Sequence, residues 1–233
     1  MKRLVLTIIS LVLILTSVNA QSSSELLDNA TMYIKLKDYK AVHSTYKLLL
    51  KLYPDAAYLL AVGCTSKTDC EEIIETADNL LLIDSQFIFA KYLKGAAAYN
   101  YKDWKSGIEN LEMVIRAGVT NYNVFFKCGF CRAQLNDYKK AIEDYNKAIM
   151  LDVSDPAAYY TRGIARYETS DFYGAMYDFN IVLSKDPGHA WALYRRGLCK
   201  FEIGKRDEDC DDLKNAQKLG VQEAGLTLER ICK

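Results

Sequence analysis

Proline is nearly missing from this chain, with three residues in 233. Long stretches are therefore free to run as unbroken helix, since proline both lacks an amide donor and clashes with the preceding turn. Histidine is as scarce: only His43 and His189 occur, far apart in sequence. With no second cysteine cluster beside them, the usual zinc ligand set is lacking, so no metal or other cofactor is expected. Net charge is lacking too, at 30 basic against 30 acidic residues. That balance provides no field to gather phosphates or an anionic membrane surface, so nucleic acid is not an expected partner. The GxSxG elbow, the phosphate-cradling GxxxxGK and the HExxH pair are all absent, and with them the usual signatures of hydrolases and nucleotide enzymes.

Long apolar runs are confined to the first twenty residues. Lys2 and Arg3 precede an apolar segment from Leu4 to Leu15, and a short polar stretch ends at Val18-Asn19-Ala20. A run of about a dozen residues falls short of the roughly 20 a spanning helix needs. The layout is that of a cleavable signal peptide over residues 1–20, with the small Val18 and Ala20 suited to a peptidase. The expected mature chain starts at Gln21, has no membrane span, and resides in the periplasm or outside the cell.

What the chain does have is a period. Gly95, Gly129, Gly163 and Gly197 recur every 34 residues. Asp103, Asp137 and Asp171 keep the same step, each followed by an aromatic residue, and Gly107, Ala141 and Ala175 follow in turn. Leu111, Tyr145, Phe179 and Leu213 form a further series, as do Val114, Ala148, Val182 and Ala216. Around Gly163 the pattern reads as a helix, then a turn with a capping Asp171, then a second helix. Each unit is thus a helical hairpin, and a single hairpin cannot bury its own apolar face, so successive units must stack.

These residues resemble the tetratricopeptide repeat (TPR). The segment 156–189 carries Tyr159, Gly163, Asp171, Phe172, Ala175, Phe179 and Pro187 at that family's spacings. Segments 88–121, 122–155 and 190–221 share its frame, and two degenerate repeats are expected within 21–87, the second with a helix starting at Asp69. Residues 222–233 read as a C-terminal capping helix. The resemblance implies an all-α protein, an α-solenoid of such hairpins, acting as a protein-binding scaffold and not as an enzyme. The last hairpin departs from the pattern at Lys205, Arg206 and Asp209, while the run from Cys210 to Gly220 is similar to the last repeat of exported Bacteroidetes proteins.

All seven cysteines lie beyond residue 20, and export would place them where disulfides persist. Cys210 and Cys232 fall level on antiparallel helices and are candidates for a bridge that pins the cap. Cys64 and Cys70 flank a short turn and form a second candidate pair. Cys128 and Cys131 make a CxxC, the signature of a thiol-disulfide exchange factor. Redox pairs of that kind sit at a helix N-terminus, whereas this one falls within a helix, where a small buried residue is the plainer reading.

The resemblance also implies a concave groove lined by the first helix of each unit. Here its positions would be Phe89, Tyr92 and Tyr99, then Phe126 and Phe130, then Tyr160, Ile164 and Tyr167, and last Trp191, Tyr194, Leu198 and Phe201. Asn100, Asn123, Gln134, Glu168 and Glu202 would edge it. Such aromatics suit a bound protein or peptide, could stack on sugars as in a carbohydrate-binding accessory protein, or could fill gaps between hairpins. Arg162, Arg195 and Arg196 would steer an acidic partner segment or simply stand in solvent.

Overall fold

The computed structural model describes residues 22–54, 58, 67–204 and 206–232. The N-terminal apolar segment, Cys64 and Lys205 fall outside them. The described residues form twelve helices and no strand. They are α1 (Ser23–Lys35), α2 (Tyr39–Leu52), α3 (Lys67–Ile83), α4 (Ile88–Tyr101), α5 (Trp104–Arg116) and α6 (Tyr122–Gln134). They continue as α7 (Tyr138–Leu151), α8 (Pro156–Glu168), α9 (Phe172–Lys185), α10 (Ala190–Glu202), α11 (Arg206–Lys218) and α12 (Gln222–Ile231). The helix expected from Asp69 begins two residues earlier. None of the described helices is long and apolar enough to cross a membrane. The chain divides into two compact units, residues 1–97 and 98–233, with the division inside α4.

Local chemistry sets the hairpins. The carboxylates of Asp38, Asp103 and Asp171 accept backbone amides of Ala41, Ser106 and Gly174 at 3.1, 3.2 and 2.9 Å, capping α2, α5 and α9. Each satisfies one of the donors that a helix start leaves open. One residue earlier the backbone turns left-handed, at Lys102, Asn136 and Ser170 with φ of 65°, 62° and 63°, and at the matching Gly204 with φ of 80°. That conformation reverses the chain between paired helices.

In the unit 98–233, each helix from α5 to α12 packs on the next. The periodic apolar series form its core: Leu111, Phe179 and Leu213 are fully buried, Tyr145 nearly so, and Val114, Ala148, Val182 and Ala216 line up beneath them. Paired helices approach closely where side chains are smallest. A Cβ at Gly163 would stand 2.8 Å from the Phe179 ring, and one at Gly129 would stand 3.1 Å from Asp144 and Tyr145. Helix α12 buries Ala224 and Thr227 and turns Gln222, Glu223, Leu226, Glu229 and Arg230 outward.

In the unit 1–97, α1 packs on α2 and α2 on α3. Leu26, Ala30, Val42, Tyr46 and Leu49 close the first hairpin. Cys70, Ile73, Ile74 and Ala97 form a smaller cluster between α3 and α4.

Candidate functional site

The first helix of each hairpin decides which aromatic side chains reach solvent. In the unit 1–97 they do not: Phe89 and Tyr92 are 0% exposed, which removes both from the groove expected of them. Their rings lie 5.7 Å apart, with Tyr46 5.1 Å from Phe89 and Tyr58 4.7 Å from Tyr92. The Tyr92 hydroxyl donates to the Tyr58 carbonyl, satisfying the polar tip that burial would otherwise leave unpaired. These two rings are core because aromatics from residues 46–58 cover them.

In the unit 98–233 the matching positions are half-buried. Phe126, Tyr160 and Tyr194 occupy one repeat position on α6, α8 and α10, and each packs its inner edge on the core. Phe126 stacks 5.5 Å from Tyr122, Tyr160 lies 5.0 Å from His189, and Tyr194 meets Trp191 at 5.9 Å. Trp191 remains 43% exposed. Ile164, Tyr167, Leu198 and Phe201 are likewise half-buried. Tyr99, at the end of α4, sits 5.2 Å from Phe130, and the Lys127 ammonium stands over its ring, 5.0 Å from the centroid. Such a contact is a cation–π pair, and burial holds the Lys127 ammonium below its ordinary pKa. Asn123 is half-buried, whereas Asn100, Gln134, Glu168 and Glu202 are exposed. The predicted residues of this unit are thus brought onto one set of helices, each with part of its surface in solvent and part in the core.

Two of the three arginines do something else. Arg162 is buried, and its guanidinium bridges three elements: it donates to both oxygens of Asp178 on α9 at 2.6 and 3.0 Å, and to Asn146 on α7 at 2.7 Å. Arg196 repeats the arrangement one unit on, reaching Asp212 on α11 at 2.6 and 2.7 Å and Asn180 on α9 at 2.7 Å. Arg166 and Lys200 supply a second cation to each aspartate, at 2.9 Å. One unit earlier Cys128 stands where an arginine would be, and Arg132 takes over, bridging Asp144 on α7 and Glu112 on α5. Bidentate guanidinium pairs of this sort match buried carboxylates well. Both arginines, expected either to steer a partner or to stand in solvent, are instead held by aspartates of the following helix. The signal was in the chain: Asp144, Asp178 and Asp212, Asn146 and Asn180, and Arg162 and Arg196 keep the 34-residue step. Arg195 alone points toward the half-buried aromatics, beside Tyr160 and 4.0 Å from Glu168.

The cysteines sort by burial. Cys128, Cys131 and Cys199 are 0% exposed inside first helices. Burial pushes the Cys131 and Cys199 thiols up to about 12 and Cys128 higher still, with neighbouring Asp144 adding to the effect. Attack on a disulfide requires a thiolate, the form that this burial disfavours. Cys210 and Cys232 are brought together with Cα atoms 5.9 Å apart, which meets the span a bridge requires. Cys70 is buried, and its candidate partner Cys64 lies outside the described residues. Among these residues no group of three or more metal-ligating side chains converges.

A sequence family described as TPR repeat matches residues 132–170. No curated protein matches the chain. Among solved structures it is similar to YrrB, described as a TPR protein with an unusual peptide-binding site. The identity is 22% over 79% of this chain and 97% of that one, with a TM-score of 0.66. It is also similar to MamA, at 21% identity over 68% of this chain and 93% of that one, with a TM-score of 0.61. The likeness is one of fold: an all-α array of tetratricopeptide-type helical hairpins.

Proposed function

We propose, from that fold, that the protein is an interaction module whose first helices in the unit 98–233 hold a segment of a partner protein. The carrying observation is the column of half-buried rings Phe126, Tyr160 and Tyr194, flanked by Phe130, Tyr167 and Trp191. Rings fixed on one edge by the core lose little freedom when the other edge is covered, which is what makes Tyr and Trp effective contact residues. The peptide-binding site named for YrrB supports a peptide as the partner class. The partner does not displace Phe89 or Tyr92, and Arg195 is the cation placed to meet an acidic group in it.

Catalysis forms no part of this reading. The buried, protonated Cys128 and Cys131 argue against thiol exchange, and the function rests on surface complementarity alone. The N-terminal signal-like segment supports an exported protein acting in the cell envelope or beyond it.

The test is selection of peptides from a displayed library on the purified protein, with affinities measured by calorimetry. Selected peptides should bind at least about tenfold more weakly to a Tyr160→Ala, Tyr194→Ala variant of equal helicity, and should shift amide resonances of α6, α8 and α10. Failure to select any peptide, or shifts confined to other helices, would overturn the proposal.

A further inference from the structure

Helix α12 carries a face that earlier hairpins keep covered. Glu223, Leu226, Thr227 and Arg230 follow at helical spacing along one side of it. One repeat before Leu226 and Arg230 stand Ala192 and Arg196, and two repeats before stand Ala158 and Arg162. Ala158 and Ala192 are 0% exposed, and the two arginines hold buried aspartates of the following helix. Leu226, by contrast, is 72% exposed, and Glu223 and Arg230 are exposed on either side of it. With Tyr194 these residues line an open hollow of about 430 Å³.

The pattern of charge selects what covers this face. Glu223 and Arg230 are two helical turns apart, about 10 Å along the axis, at opposite ends of the face. Laid antiparallel against a copy of itself, the helix sets each Arg230 beside the other copy's Glu223, with the two Leu226 side chains between them. A face that satisfies its own charges under a two-fold axis is the condition for an isologous contact. We infer that α12 is a homodimer contact, and that its occupant is the α12 of a second copy of this chain. The contact is small, because a ten-residue helix covers less than the roughly 800 Å² per partner of a standard interface. The dimer is therefore weak and depends on concentration. It is independent of the peptide-binding reading, since it uses a different helix and its assay contains no partner.

Sedimentation equilibrium of the purified protein, from about 5 to 500 μM, tests it. The wild type is expected to move from monomer to dimer across that range. Glu223→Arg and Arg230→Glu are each expected to weaken association at least about tenfold through like-charge contact, and the double exchange E223R/R230E to restore it. Leu226→Glu, on an exposed site that leaves the fold intact by circular dichroism, is expected to abolish it. A wild type that stays monomeric throughout overturns the inference. So does a dimer that survives either single charge reversal, or one that the double exchange fails to restore.

Discussion

Asp178 is fully buried, and Arg162 and Arg166 both reach its carboxylate. Removing Arg162 takes away the two-pronged contact and leaves Arg166 as the one cation on a buried carboxylate, and breaking a buried pair costs far more than the pair contributes. Arg162→Ala should therefore lower the unfolding free energy by about 3 kcal/mol, measured by urea denaturation. Arg195→Ala, one residue from the homologous Arg196 but partly exposed, should change it by less than about 0.5 kcal/mol. Gly163 makes the converse case. Its missing Cβ is space already taken by Phe179, at 2.8 Å, so Gly163→Ala should cost about 1–2 kcal/mol even after the helical preference of alanine is counted. Gly188→Ala, whose nearest neighbour is an Asp186 oxygen at 3.4 Å, is the control and should be close to neutral. The need for a small residue at Gly163 was legible from its 34-residue period. The burial of Arg162 was not, because one arginine near another looks the same in sequence whether its aspartate lies sixteen residues away in a core or water lies there.

At the level of the helix, sequence and structure agree most closely where a turn is dictated by backbone chemistry. The aspartates at 103, 137 and 171 share a repeat position, yet only Asp103 and Asp171 make the side-chain cap bond, while Asp137 makes none. Asp103→Ala should thus cost about 1 kcal/mol and Asp137→Ala a few tenths, a contrast that thermal melts of the two variants would resolve. Recurrence alone could not separate them, since all three are the same residue at the same repeat position. The groove positions divide in the same way. Phe126, Tyr160 and Tyr194 reach the helix surface as the repeat frame implied. Phe89 and Tyr92 keep that frame but are roofed by Tyr46 and Tyr58, residues from a degenerate repeat whose placement no period foretold.

For the molecule as a whole, its buried thiols and phenols set an alkaline limit. Burial raises the thiols of Cys131 and Cys199 from 9.0 to about 12, and the phenols of Tyr46 and Tyr58 from 10.0 to about 12. A folded pKa above the unfolded one gives stability that is complete below the unfolded value and lost as pH climbs toward the folded one. The urea midpoint should stay level between about pH 6 and 8 and fall steadily from 9 toward 12. A midpoint that held to pH 11 would contradict the burial of these groups. The all-helical stacking of hairpins within 98–233 was legible because each repeat must hide the same face against its neighbour. The self-complementary side of α12 was not, as it depends on which side of one helix is left uncovered.

The reach of Arg162 from Asn146 to Asp178, repeated by Arg196 from Asn180 to Asp212, has a consequence for how such a chain can grow. The hairpins α6–α7 and α8–α9 each deliver the asparagine that the next arginine needs, and Arg162 and Arg196 each find their aspartate within their own hairpin. Copying 156–189 in place would insert a segment whose joints are already written at both seams. The array can lengthen by tandem duplication in whole units of one hairpin, and a duplication out of that frame would strand a guanidinium in the core and be eliminated.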